Sequence, residues 1–281
     1  MAPAEPVAFE VGTEPAIGGE AAGEGPPIVL CHGLTATRRY VVHGSRVLER
    51  SGNRVLTYDA RGHGESDPAP GGGGYGYPEL AADLGAVIDA EAGSGPLTLG
   101  GHSMGAHTAI AYALANPERV ARLIVIGPVY AGAIDEEGLG YWDGLAEALA
   151  GGGVDGFVDY IDRHTETDPL WRDSVLRFTR ERISRHRDLE AVAQALREVP
   201  RSRPFGGLEE LEALEMPALV VASGDRADPG HPRAVAEEYA RRLPRARLVG
   251  EEEGASPLAW QGGRLSREIA AFCAEGRESQ E

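Results

Sequence analysis

The sequence predicts an α/β protein: a mostly parallel sheet covered on both faces by helices, with a helical cap inserted between two of its strands. Two observations predict it. From residue 27 onward, short β-rich apolar runs alternate with longer helical patterns, and runs apolar at nearly every position belong to strands buried on both faces. After Pro128 the alternation stops, and it resumes only at "PALVVASGD", residues 217–225, leaving a polar, helix-like stretch between.

In chain order, "PIVLCHG" reads as a strand, residues 38–51 as a helix, and "RVLTYDARGHG" as a strand with its following loop. Residues 68–78, "PAPGGGGYGYP", read as a flexible surface loop. "YPELAADLGAVIDAEAG" is an amphipathic helix, "PLTLGG" a strand, "MGAHTAIAYALANP" a helix ending at Pro117, and "RLIVIGP" a strand. Residues 130–205 carry no convincing strand, and "AGGGVDGF" within them reads as a Gly-rich hinge. Beyond residue 217 come a helix at 232–243, the strand "ARLVGEEE" and a last helix "RLSREIAAFCAE". The expected division is a core in two parts, residues 1–129 and 206–281, around a cap of residues 130–205.

Composition narrows the function. At 281 residues with 42% hydrophobic content, the chain is long enough for one large α/β domain carrying an inserted lid. A formal net charge of −17 repels nucleic acid and anionic membrane surfaces, so the expected partner is a small molecule, neutral or cationic. No N-terminal run has the basic and apolar regions of a signal peptide, and no run approaches the ~18 apolar residues of a membrane span, so a cytoplasmic protein is expected. Cys31 and Cys273 read as small core residues, not a disulfide framework. Oligomeric state is not legible.

The strongest chemical signal is "GGHSMGAH". Gly101, His102, Ser103, Met104 and Gly105 match G-x-S-x-G between a predicted strand and a predicted helix, the context a nucleophile elbow needs. Glycines permit the sharp turn, and the helix N-terminus favours negative charge at the serine. "LCHGLTAT" sets His32, Gly33 and Leu34 just after a strand, where a backbone N–H can complete an oxyanion hole with that of Met104. No cluster has metal-ligand spacing, and neither a metal nor another cofactor is expected.

These motifs, with the D-x-R-G-H-G-x-S of residues 59–66 and the "ANPERVARLIVIGP" after the elbow, resemble the α/β-hydrolase superfamily, in its branch of capped esterases, monoglyceride lipases and related hydrolases. The resemblance implies Ser103 as nucleophile and the backbones of Leu34 and Met104 as oxyanion donors. It implies structural roles for His32 and His63, and a small-molecule carboxylic ester as substrate. Enzymes of this kind that use an aspartate nucleophile, epoxide hydrolases and haloalkane dehalogenases, do not fit Ser103. The catalytic acid follows the penultimate strand in the family, and Asp228, with Pro229 and Pro232, fits that spacing better than Asp225, which reads as a turn residue.

The family histidine, which follows the last strand, maps onto Ala255 in "EGASPLAWQ", and no histidine lies beyond His231. Three explanations stay open: a base removed by substitution at Ala255, a base relocated to His231 three residues past Asp228, or a non-catalytic binding protein. Carbon–carbon bond hydrolysis and lactone hydrolysis share the elbow and stay open as well. Three glutamates, residues 251–253, precede Ala255 and would place a negative field there. Tyr130, Tyr141, Trp142, Phe157, Tyr160, Trp171 and Phe178 offer either a substrate lining or packing for the cap, and Trp260 either walls the site or anchors the last helix.

Overall fold

The computed structural model describes residues 5–12, 14–224, 226–252 and 254–275. Its strands are β1 (Val7–Val11), β2 (Ile17–Ala22), β3 (Pro27–Cys31), β4 (Arg54–Tyr58), β5 (Leu97–His102), β6 (Val120–Ile126), β7 (Ala218–Ala222) and β8 (Ala246–Gly250). They form one sheet in the order β1-β2-β4-β3-β5-β6-β7-β8. Strands β3 to β8 run parallel, while β1 and β2 form a hairpin joined antiparallel to β4. The hairpin was not legible in the sequence: β1 is largely exposed and β2 carries two glycines, so neither shows a long apolar run.

Helices α1 (Val47–Arg50), α2 (Tyr77–Glu91), α3 (Met104–Ala115), α4 (Leu139–His164), α5 (Arg172–Ile183), α6 (Leu189–Glu198), α7 (Arg233–Arg242) and α8 (Gly262–Ala274) complete the chain. Successive strand residues point to opposite faces, so each apolar strand feeds two cores. Val29, Cys31, Val125 and Val220 pack with α2, α3 and α7 on one face. Ile28, Leu30, Ile126 and Leu219 pack with α1 and α8 on the other. Both cysteines are buried.

The helix expected over residues 38–51 is broken. Arg38–Tyr40 makes one 3-10 turn, His43 and Gly44 take positive φ of 49° and 71°, and only α1 continues as α-helix. Arg38 is held by Asp59 through both its backbone N–H and its guanidinium, which fixes the chain before a helix can propagate. The strand expected through "GEEE" stops at Gly250, because the Glu251 carboxylate accepts from the backbone N–H groups of Gly224 and Leu258.

Between β6 and β7 the described chain contains helices and no strand. Helix α4 runs through the Gly-rich stretch and bends at Gly153, whose φ of 57° and ψ of −146° are not helical. Leu145, Leu149, Phe157, Ile183, Val192 and Leu196 give these helices a core of their own. The order of the sheet positions the site: from β3 the chain crosses to β4 on one side and then to β5 on the other. The carboxyl ends of β3 and β5 therefore flank a crevice where the following loops diverge.

Candidate active site

Ser103 follows β5 directly and precedes α3, with φ of 53° and ψ of −117°, a conformation that costs energy in any residue but glycine. Its neighbours explain how the sequence holds it there. A β-carbon at Gly105 would lie 2.2 Å from the Cys31 carbonyl oxygen, and one at Gly101 would lie 2.3 Å from the Gly105 carbonyl carbon. Both positions exclude every larger residue. The Ser103 N–H donates to the Ile126 carbonyl at 2.9 Å and its carbonyl accepts from His107 at 3.1 Å, so the turn is tied to β6 and to its own helix.

The loop after β3 lies against this turn. A β-carbon on Gly33 would stand 3.4 Å from Ser103 Cβ and 2.9 Å from His102 Nδ1. Leu34 and Met104, the expected oxyanion donors, belong to one apolar cluster with Tyr75, Tyr77, Ala191 and Ala195, and the Leu34 N–H donates to no described residue. His32 links its own loop to the next: its Nδ1 lies 2.8 Å from the Gly33 carbonyl and its Nε2 accepts from the Ala60 N–H at 2.9 Å. His63 Nδ1 lies 2.9 Å from the Arg61 carbonyl.

Asp228 and His231 sit on the loop after β7. His231 Nδ1 and Asp228 Oδ1 are 2.7 Å apart, and the Ser223 hydroxyl donates to the other carboxylate oxygen at 3.3 Å. Burial alone would raise the Asp228 pKa, but the adjacent His231, its hydrogen bond and that from Ser223 outweigh burial and hold it below the usual carboxylate range. With Nδ1–H donating to Asp228, Nε2 of a neutral His231 is free to accept a proton. Asp225 lies outside the described residues.

His102 faces His231, with ring centroids 4.7 Å apart. Its Nε2 is buried without a hydrogen-bond partner, and burial pushes its pKa down to about 3. Gly127 makes room for both rings: a β-carbon there would lie 3.1 Å from His231 Cδ2 and 3.3 Å from His102 Nε2. No hydrogen bond joins Ser103 to His231. Ala255 sits half-buried on the loop after β8, its N–H bonded to the Glu252 carbonyl at 3.0 Å. Of the three glutamates before it, Glu251 is spent on the backbone clasp, Glu252 is exposed and Glu253 lies outside the described residues.

A cavity of about 220 Å³ opens beside the histidines. His102, Asp228 and His231 meet Arg182 and Tyr141 there, with Phe178 and Trp260 among its apolar walls. Ser103, Leu34, Met104 and Ala255 do not line it. Ser103 therefore joins two groups: the cluster of Leu34 and Met104 on one side, and through its chain neighbour His102 the cavity on the other. A second cleft of about 380 Å³, near Arg38, Arg46 and Glu49, holds none of these residues. Of the remaining aromatics, Phe157 is core, Tyr130 donates to the Phe205 carbonyl, and Trp171 starts α5. Tyr141 makes ring contacts with Trp142 and Tyr160. Among the described residues no group of three or more His, Cys, Asp or Glu is placed to hold a metal ion.

The sequence profile of the α/β hydrolase fold matches residues 26–261. The chain belongs to the α/β-hydrolase family. This α/β-hydrolase is 38% identical over 102 residues to the sn-1-specific diacylglycerol lipase ABHD11 of Mus musculus, a match spanning 36% of the chain and 32% of the lipase. The chain thus aligns with about a third of that relative's length. It is 29% identical over 218 residues to 2-hydroxy-6-oxononadienedioate/2-hydroxy-6-oxononatrienedioate hydrolase 2 of Pseudomonas putida, covering 71% of each. A thermophilic esterase from Thermogutta terrifontis has the same fold, with a TM-score of 0.76 at 24% identity over 96% of this chain and 98% of that one.

Sequence reasoning missed three residues of this α/β-hydrolase site. The contact of His102 with His231, the inward Arg182 and the clasp of Glu251 all depend on where distant loops come to lie. A weak signal existed for one: six arginines crowd residues 172–187 of a strongly acidic chain.

Proposed function

We propose that this chain is a serine hydrolase of small carboxylic esters in which His231, held by Asp228, serves as the base. The observation that carries the reading is the 2.7 Å Asp228–His231 pair set against His102, the residue immediately before Ser103. A pair of this kind fixes the tautomer and stabilises the imidazolium that forms when the base takes a proton. Ser103 Oγ attacks the ester carbonyl and its proton passes to His231 Nε2. The backbone N–H groups of Leu34 and Met104 hold the oxyanion, and the alcohol leaves with the proton from His231. Water then hydrolyses the acyl-serine by the same steps in reverse order. Residues 130–205 act as the cap over this site. Because Ser103 and His231 share no hydrogen bond in the free protein, the reading requires the pair to close when substrate binds, as happens in many resting hydrolase sites.

A second reading, hydrolysis of a carbon–carbon bond, is favoured by the Pseudomonas putida relative, which matches over 71% of both chains. It uses the same residues on a different electrophile.

The test is steady-state hydrolysis of p-nitrophenyl acetate by the parent chain and by Ser103→Ala, His231→Ala and Ala255→His. The parent is expected to turn over, with loss of about a thousandfold or more in both alanine variants and little gain in Ala255→His. An inactive parent that gains several orders of magnitude in Ala255→His, through Ser103, would place the base at residue 255 and overturn the role of His231. Turnover untouched by Ser103→Ala overturns the whole reading.

A further inference from the structure

Arg182, near the end of α5, turns into the cavity that also holds His102, Asp228 and His231. Its surroundings differ from those of the other arginines in this segment. Arg172 pairs with Asp162, Arg180 with Asp155, Arg185 with Glu181 and Arg187 with Asp67. Arg177 lies over the Phe178 ring. The Arg182 side chain makes no ion pair or hydrogen bond with any described residue, and its Nε is buried without an acceptor. The carboxylate that acts on it most is Asp228, already bonded to His231 and Ser223. Burial pushes the Arg182 pKa below its ordinary value, the direction expected of a partly buried guanidinium with no carboxylate bonded to it.

A cation kept in a cavity at such a cost is satisfied when a ligand brings the opposite charge, and guanidinium with carboxylate is the geometrically matched case. Charge along the chain agrees. Residues 172–187 hold six arginines against Asp173 and Glu181, a basic segment in a protein of net charge −17. The overall charge favours neutral or cationic small molecules, but within a cleft the local groups set the field a ligand meets.

We propose that the cavity takes substrates carrying a carboxylate, and that Arg182 holds that carboxylate. The proposal rests on the ester-hydrolase reading for its turnover test, but not for its binding test. The carboxylate belongs either to the acyl part or to the alcohol part of the ester, and two substrate pairs separate these sources. The first is mono-p-nitrophenyl glutarate with its methyl-capped neutral counterpart, and the second is 4-acetoxybenzoate with its methyl ester.

For the parent chain and the Arg182→Gln and Arg182→Lys variants, each checked for unaltered folding by circular dichroism, the ratio of kcat/KM for the anionic to the neutral member is measured in each pair. Losing a charge-assisted contact is expected to lower that ratio about tenfold to a hundredfold in Arg182→Gln, with partial recovery in Arg182→Lys, in the pair whose carboxylate reaches Arg182. A ratio unchanged in both pairs overturns the proposal.

Calorimetric binding of glutarate and of 4-hydroxybenzoate to Ser103→Ala, with and without Arg182→Gln, needs no turnover. At least one anion should bind more tightly than its neutral amide or ester analogue and lose about tenfold with the second substitution. If neither binds, or if neither depends on Arg182, the proposal fails while ester turnover through Ser103 can stand. If binding depends on Arg182 but no ester is hydrolysed through Ser103, the hydrolase reading fails and the anion site stands.

Discussion

Gly127 shows how one missing side chain shapes the site. Its φ is 53° and the gaps to the His231 and His102 rings are 3.1 Å and 3.3 Å, so a methyl group there fits only if those rings shift by a few tenths of an ångström. Gly127→Ala is expected to cost about 1–2 kcal/mol through its left-handed backbone, and to push His231 away from Ser103. Ester turnover should fall at least about tenfold, since misplacing a catalytic group by a fraction of an ångström is costly. Turnover equal to that of the parent would show that His231 takes no part. Glu251 offers a second test. Replacing it with alanine removes the acceptor of the Gly224 and Leu258 N–H groups, and urea unfolding should show a loss of about 1–3 kcal/mol. Ser103 was legible because its elbow is written in adjacent residues, glycines at 101 and 105 between a strand and a helix. Asp228 and His231 are three residues apart and were also within reach. Arg182 was not, because nothing in its local sequence separates an inward arginine from the paired ones around it.

Helix α4 carries its own internal control. Gly152 and Gly153 are neighbours in one bent helix, and a β-carbon at either would meet nothing within 4 Å. Only Gly153 has a positive φ. Gly153→Ala should therefore destabilise by about 1–2 kcal/mol from backbone conformation alone, whereas Gly152→Ala should gain up to about 1 kcal/mol from helix propensity. Chemical denaturation of the two variants checks the difference, and equal effects would mean that the bend at Gly153 is not maintained in solution. At this scale the sequence was read best where burial is complete. Strands β3, β6 and β7 are apolar at nearly every position, β5 is buried at every position but its last, and the predicted runs overlap all four to within about three residues at either end. Strands β1 and β2 and the break in residues 38–51 escaped, since an exposed edge leaves no apolar run and the break depends on Asp59, which arrives twenty-one residues after Arg38.

Across the whole molecule, the histidines set the expected response to acid. Burial pushes His32, His102, His107 and His186 down to about 3, and also lowers His43 and His63. Three of them form a chain, with the His63 ring centroid 5.1 Å from that of His32 and 5.4 Å from that of His186. His186, between α5 and α6, accepts from the Gly64 N–H at 2.9 Å and lies 3.0 Å from the Thr35 carbonyl. It thereby ties the helical segment to the loops after β3 and β4. His107 accepts from the N–H groups of Val129 and Tyr130 at 3.1 Å and 3.2 Å, at the start of that segment. Below a pKa of about 6.5 the unfolded chain takes up protons that these folded-state histidines refuse. The unfolded state then binds more protons than the native state, so stability falls as pH falls from about 6.5 toward 3. Each such histidine contributes a slope of up to about 1.4 kcal/mol per pH unit well inside that window. Between pH 6 and 5 most carboxylates stay ionised, which isolates the histidine contribution. Unfolding free energy from urea titrations should therefore drop by several kcal/mol over that single unit, and a flat profile there would mean that these histidines become charged inside the native protein. Since His107 holds the start of the helical segment and His186 ties it down between α5 and α6, its amides should lose hydrogen-exchange protection at a higher pH than those of β5 and β6.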